Sequence, residues 1–292
     1  MNKLGIIILN YLNWEDTIEC INSIKEQSNK DIEIVIVDNF SNNNSFEILN
    51  QKFFKEKNIH VLMNSINGGY AKGNNLGIQY CIQKLGINNV LVINNDTLFE
   101  DETYLDTLFK TKFEGNVGAI GTRIIGSDYK NQNPIFGNLS FISIVKKFLT
   151  GLAKLIGIRK PKILKKQSKH KSVKKTVNDR DLVSSNNLLH GSAILLTENY
   201  LKEVGGFFPE TFLYYEENIL GIIMTKLNLK MIYLEDPYIY HKEDQSSLLS
   251  FNNDNKIQLK YELSSILIAL KLKLTKIESI KKRMKNVDYL VK

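Results

Sequence analysis

Residues Val90–Phe99 read VLVINNDTLF, an apolar run from Val90 to Ile93 that stops abruptly at Asn94, Asn95 and Asp96. A short run rich in Val and Ile suits the centre of a parallel sheet, where both faces are covered. In open α/β sheets, ligands gather beyond the carboxyl ends of the strands. Three oxygen-bearing side chains at such an end offer a seat for a hard cation, and through it for a diphosphate. Asp96 is the only one of the three that carries charge, so it is the first ligand candidate. Asn and Asp are equally common in ordinary turns, so the neighbouring segments have to decide.

Those segments repeat the pattern. Leu4–Leu9 is a strand candidate ending at Asn10 and Tyr11, and Ile32–Val37 is a second one ending at Asp38 and Asn39. A helix is predicted from about Glu15-Asp16, with Ile18, Ile21 and Ile24 at helical spacing. A second amphipathic helix follows in FEILNQKFF, then a strand at Ile59–Met63. The loop Asn64–Asn75 leads into a helix with Leu76, Ile78, Cys81 and Ile82 on or near its buried face. The alternation β-α-β-α-β-α-β predicts a wound α/β sheet. Three strands ending in Asn or Asp on one edge make a rim suited to a nucleotide.

Neither GxGxxG nor GxxxxGK[ST] occurs, which disfavours a hydride-transfer enzyme or a phosphate-loop NTPase. Gly68-Gly69-Tyr70-Ala71-Lys72-Gly73-Asn74-Asn75 instead offers glycines for close backbone approach and a cation for phosphate. Asn74 and Asn75 also read as possible helix caps.

The 292 residues, 43% apolar and 10% aromatic, allow one large α/β domain or two smaller ones and exclude global disorder. Cys20 and Cys81 lie in predicted helices with no CxxC or Cys/His neighbour, as small buried hydrophobes of a reducing compartment do. No window reaches the roughly 18 apolar residues of a membrane span, and a cytoplasmic setting is expected. The net charge of +8 is concentrated: Phe141 to Arg180 holds 13 Lys or Arg and one acid, Asp179, or +12, leaving −4 elsewhere. A basic groove for nucleic acid running through the fold is therefore not expected.

Taken together, IIILNY, IVIVDN, NGGYAKGNNLGI, INNDT, HGSAILLTENYLKEVGGF and FLYYEENILG resemble, in family order, glycosyltransferase family 2 and its rhamnosyltransferase-like bacterial branch. The resemblance runs from about Leu4 to about Ser247. It implies a GT-A type wound mixed sheet flanked by helices, with a catalytic domain over 1–250 and a helical tail over 251–292. It also implies an inverting, metal-dependent transfer from a UDP- or dTDP-sugar to a saccharide, lipid-linked acceptor in surface polysaccharide synthesis. Asp38 would accept from the imide of uracil or thymine, with Asn10, Tyr11 and Asn39 nearby. Gly69, Lys72, Asn74 and Asn95 would line the donor site. Asp96 would bind Mg²⁺ or Mn²⁺, helped by Asn94 and by His241 as a late ligand or phosphate contact. Glu217 would be the base, with Glu216 beside it. Two departures stand out: Asn94 replaces the first acid of the family's DxD element, and Ile219 and Ile223 occupy positions where the family often has Asp and Arg.

His241, and the Glu pair taken alone, also read as ordinary structural residues. Phe141–Ile158 has the pattern of an amphipathic helix, and Arg159–Lys175 adds a basic run without acids. The pair suits peripheral contact with an anionic membrane on the inner face of the cell, or a solvated loop. The alternative function class is a non-catalytic binder of anionic membrane or nucleic acid working through 141–180. The tail from Lys256, with Leu263, Ile266, Leu267 and Leu270 read as one face, would pack on the domain, form a homodimer or rest on the same membrane.

Overall fold

The four apolar runs form parallel strands β1 (Leu4–Asn10), β2 (Ile32–Asp38), β3 (Ile59–Met63) and β4 (Val90–Asn94). They alternate with α1 (Trp14–Lys25), α2 (Ser45–Phe53) and α3 (Gly69–Lys84). The structure, a computed structural model, describes residues 3–113, 115–157, 187–243 and 254–285. The basic run 159–180 and the residues 244–253 and 286–292 lie outside the described residues. Asn10 pairs with Asp38 and Leu9 with Asn94, so the three polar strand endings share one edge.

Further along the chain come β5 (Thr97–Leu98), α4 (Tyr104–Lys110), β6 (Val117–Gly126), β7 (Ile135–Phe136), α5 (Phe141–Leu155) and β8 (Asn187–Leu188). After these follow β9 (Ala193–Leu196), α6 (Glu198–Val204), α7 (Glu216–Leu227), β10 (Lys230–His241), α8 (Asn255–Leu274) and α9 (Ile277–Lys285). The main sheet runs β3-β2-β1-β4-β9-β6-β10-β5. β9 is antiparallel to both β4 and β6, and β10 is parallel to β6, so the wound half continues into a mixed half.

Alternation along β1 splits the core between the two faces. Ile6 and Ile8 pack with Cys20, Ile21, Ile24 and Leu49 on one side. Ile7 packs with Ile78, Cys81, Leu201 and Ile223 on the other. Each fully buried Ile is worth about 1.5–3 kcal/mol, and a one-residue slip of β1 would exchange the two sets. Both cysteines are free and buried, and burial pushes their thiols up to about 12, which makes them inert packing groups.

The tail packs on the domain. α8 lies against α5 and α7, and α9 against α6 and α7. Gly151 permits the α5 contact, since a Cβ there would meet Leu263 Cδ2 at 2.7 Å. The expected stripe is rotated: Leu263, Ile266, Ala269 and Leu272 are buried, while Leu267 is 41% exposed. A helix held by two neighbours buries two flanks, which a single-stripe reading does not resolve.

Candidate active site

A buried polar chain runs along the carboxyl edge. Asn10 Nδ2 donates to Asp38 Oδ2 at 2.7 Å, and Asn10 Oδ1 accepts from Thr17 at 2.8 Å. Asn95 Nδ2 donates to Thr17 Oγ1 at 3.2 Å and to Asn13 O at 2.9 Å, so its amide nitrogen is turned inward. The Ser41 N–H donates to Asp38 Oδ1 at 2.8 Å. Asp38 is fully buried. An ionised carboxylate has about four acceptor sites, so each of its oxygens retains capacity for one further donor. Tyr11 is half-buried just past β1, and Lys72 is exposed in the first turn of α3.

Asn39 organises the glycine loop. Its carbonyl accepts from Gly68 N–H at 3.2 Å and from Asn64 at 2.9 Å, and its amide donates to Asn67 at 2.9 Å. Gly69 has φ +74°, and a Cβ there would lie 2.0 Å from Phe212 O. That carbonyl already accepts from Tyr70 N–H at 2.8 Å. Gly69→Ala is therefore expected to cost more than about 2 kcal/mol in denaturant unfolding, because the obstacle is backbone.

α3 begins at Gly69, so Asn74 and Asn75 lie in its second turn and do not cap it. Asn74 donates back to Tyr70 O at 3.0 Å. Asn75 clamps Phe207 from both sides, donating to its carbonyl at 2.8 Å and accepting from its N–H at 2.7 Å. Arg283 on α9 pairs with Glu210, and Ser265 on α8 donates to Leu213 O at 3.2 Å. The Phe212 and Tyr261 rings stack at 4.7 Å. The aromatic segment from Phe207 to Tyr215 is thus held from three helices.

At the end of β4, Asp96 is 6% exposed and its Oδ1 has no hydrogen-bond partner. His241 Nε2 lies 3.3 Å from that oxygen. Gln132 gives its amide nitrogen to Glu243, which leaves its oxygen facing His241 Nδ1 at 3.0 Å. His241 Nδ1 therefore carries a proton, and a neutral ring would turn a bare Nε2 toward a bare carboxylate oxygen. Two opposed lone pairs call for a proton or a cation between them, so the pair fits a divalent ion. Among the described residues no group of three or more His, Cys, Asp or Glu forms a complete cage. Mg²⁺ does not need one when substrate phosphates and water complete its shell.

The acids sit at the start of α7, after Tyr214 and Tyr215, both in the left-handed region (φ +71° and +73°). Glu216 is 7% exposed with an orphaned Oε1, and burial, then the charge of Glu217, pushes it up to about 8. Glu217 is partly exposed, and burial raises it too, offset by its own and the Gly191 backbone N–H groups and by Lys147. Glu216 therefore holds its proton near neutrality. A raised carboxyl favours the folded state while protonated, so that stability is lost as pH rises from about 4.5 through about 8. Glu216→Gln is expected to raise Tm at pH 8.5 by several degrees, on the order of 2 kcal/mol, and to change it little at pH 4.5, as calorimetry would show.

The two ends meet over three residues. His190 packs edge-on against His241, with ring centroids 5.7 Å apart. Its Nδ1 accepts from Ser192 N–H at 3.2 Å, and burial followed by the charge of His241 holds it down to about 4. The Ser192 carbonyl accepts from Asn94 N–H at 3.0 Å. Between them, Gly191 takes the Tyr70 hydroxyl on its carbonyl at 2.8 Å, and a Cβ there would meet Glu217 Oε1 at 2.5 Å. Neither His190 nor Tyr70 is among the site residues that the sequence resemblance implies.

A family model described as glycosyl transferase family 2 matches residues 5–178, more than half the chain. The chain belongs to that family. Among its relatives, the low-salt glycan biosynthesis hexosyltransferase Agl10 of Haloferax volcanii is 28% identical over 219 residues, 74% of this chain and 60% of the relative. The glycosyltransferase GlyG of Streptococcus pneumoniae is 25% identical over 138 residues, 47% of this chain and 42% of the relative. The chain thus spans less than two thirds of either family member.

The fold is shared with a Pyrobaculum calidifontis mannosyltransferase, PcManGT, solved with GDP-Man and Mn²⁺. The TM-score is 0.53 at 12% identity, over 93% of this chain and 73% of that one. S. aureus TarS 1–349 with UDP-GlcNAc gives 0.54 at 14% identity, over 97% and 70%. The mixed sheet with flanking and C-terminal helices is accordingly of the GT-A type.

Proposed function

We propose that this chain is an inverting, metal-dependent glycosyltransferase. It moves a sugar from a UDP- or dTDP-sugar to a saccharide hydroxyl on a lipid-linked acceptor, in surface polysaccharide assembly. The observation that carries the reading is the link through His190–Ser192 between the orphaned Asp96 carboxylate and Glu217. Family membership and the hexosyltransferase relative support it.

In this reading Asp38 accepts from the base imide, and the glycine loop with Lys72 approaches the phosphates. Asp96 and His241, with Asn94 beside them, hold Mg²⁺ or Mn²⁺. When bound, the ion supplies positive charge against that developing on the departing diphosphate. Glu217 takes the proton of the acceptor hydroxyl as its oxygen bonds to the anomeric carbon. The bond to diphosphate breaks on the opposite face, which inverts the centre. Glu216, already protonated, leaves Glu217 as the only base of the pair. Residues 1–250 form the catalytic unit, with the tail as its buttress.

Thermal unfolding with a panel of nucleotide-sugars, with Mn²⁺ or with EDTA, tests the reading. A UDP- or dTDP-sugar at a hundredfold excess over Kd should add about 2.7 kcal/mol, and EDTA should remove most of the gain. Stronger stabilisation by GDP-sugars would reject the role given to Asp38.

A further inference from the structure

Helix α5 is apolar over more of its circumference than the protein covers. Ile144 and Gly151 are buried, Gly151 against α8. On an adjoining face Ile142, Leu149, Leu152 and the C-cap Ile156 recur at helical spacing and are 67, 56, 38 and 64% exposed. Lys146 and Lys154 are exposed along the polar side.

We propose that this face rests on an anionic lipid surface and sets Glu217 beside the bilayer, so that the acceptor arrives along it. Only the route of the acceptor depends on the catalytic reading. Four exposed branched side chains with a lysine rim fit the acyl–headgroup boundary. A second copy of the chain fits poorly, because apposed α5 faces would set the exposed Lys146 and Lys154 of each copy against one another. The helix is also too short to cross: 15 residues span about 22 Å, against a core of about 30 Å.

The same helix reaches the acid pair. Lys147 Nζ lies 4.4 Å from the Tyr215 ring centroid and 3.1 Å from Glu262, and its charge draws down the Glu217 carboxyl. The lipid-facing side chains are therefore about one helix diameter, roughly 10 Å, from the groups around the base.

Flotation of the full chain with phosphatidylcholine vesicles, with or without an equal part of phosphatidylglycerol, is the test. The wild type should partition onto the anionic vesicles at least about tenfold better than onto neutral ones, and less so in high salt. The double substitution Ile142→Asp with Leu149→Asp should lose at least about tenfold while keeping the wild-type Tm, since both positions are exposed. Asp96→Asn should float as wild type does, so a failed catalytic reading leaves this result intact. The proposal is overturned if the double variant floats undiminished or the wild type stays with neither vesicle. It is equally overturned if the double substitution disperses a dimer and vesicles bind neither form.

Discussion

Glu217→Gln is expected to lower kcat for sugar transfer by about 10²–10⁴-fold, with donor affinity near the wild-type value. The substitution keeps shape and removes the carboxyl proposed as base, while Glu216 holds its proton up to about 8. Burial also raises Glu217 itself, so the acid limb of kcat/KM should fall at a pH above the ordinary 4.5 of a glutamate. Glu216→Gln should leave most of kcat in place. A Glu217→Gln enzyme with full turnover, or a Glu216→Gln enzyme without any, would reverse or abolish the assignment.

Asp96→Asn is expected to reduce kcat/KM by about 10²-fold or more and to abolish the stabilisation given by Mn²⁺ with donor. It should also make the protein without divalent ions more stable by about 1 kcal/mol, since a buried carboxylate oxygen without a hydrogen bond is relieved of its charge. Opposite movements of activity and stability mark a functional residue. If both fell together, Asp96 would be a structural group.

The N-terminal half of the fold was legible because each strand is a short Val/Ile run with a polar stop, and each helix carries its own period. The rim at Asn10, Asp38 and Asn94 followed from the same stops, which the register aligns. The placement of β9 between β4 and β6 was not legible, since AILL carries no sign of its partner or direction. Nor was the inward turn of Asn95, which depends on Thr17 and the Asn13 carbonyl, 78 and 82 residues away in sequence. Asn74 and Asn75, open to a capping reading, are interior to α3 because Gly69 starts the helix early. The importance of His190 and Tyr70 lies in what they touch. A histidine opening HGS and a tyrosine in a glycine loop show nothing of His241 or Gly191 until the chain is folded.

The clamps on the segment before the acid pair impose an order of assembly. The strands that end in Asn10, Asp38 and Asn94 are complete once residue 94 has been synthesised. The segment Phe207–Tyr215 receives its last fastening from Arg283, more than seventy residues after Glu210. A nascent chain halted at 250 would carry the whole rim while its Phe207–Tyr215 segment lacked the α8 and α9 contacts. Donor recognition is therefore expected to mature before sugar transfer does, and shortened chains should bind nucleotide-sugar without transferring it.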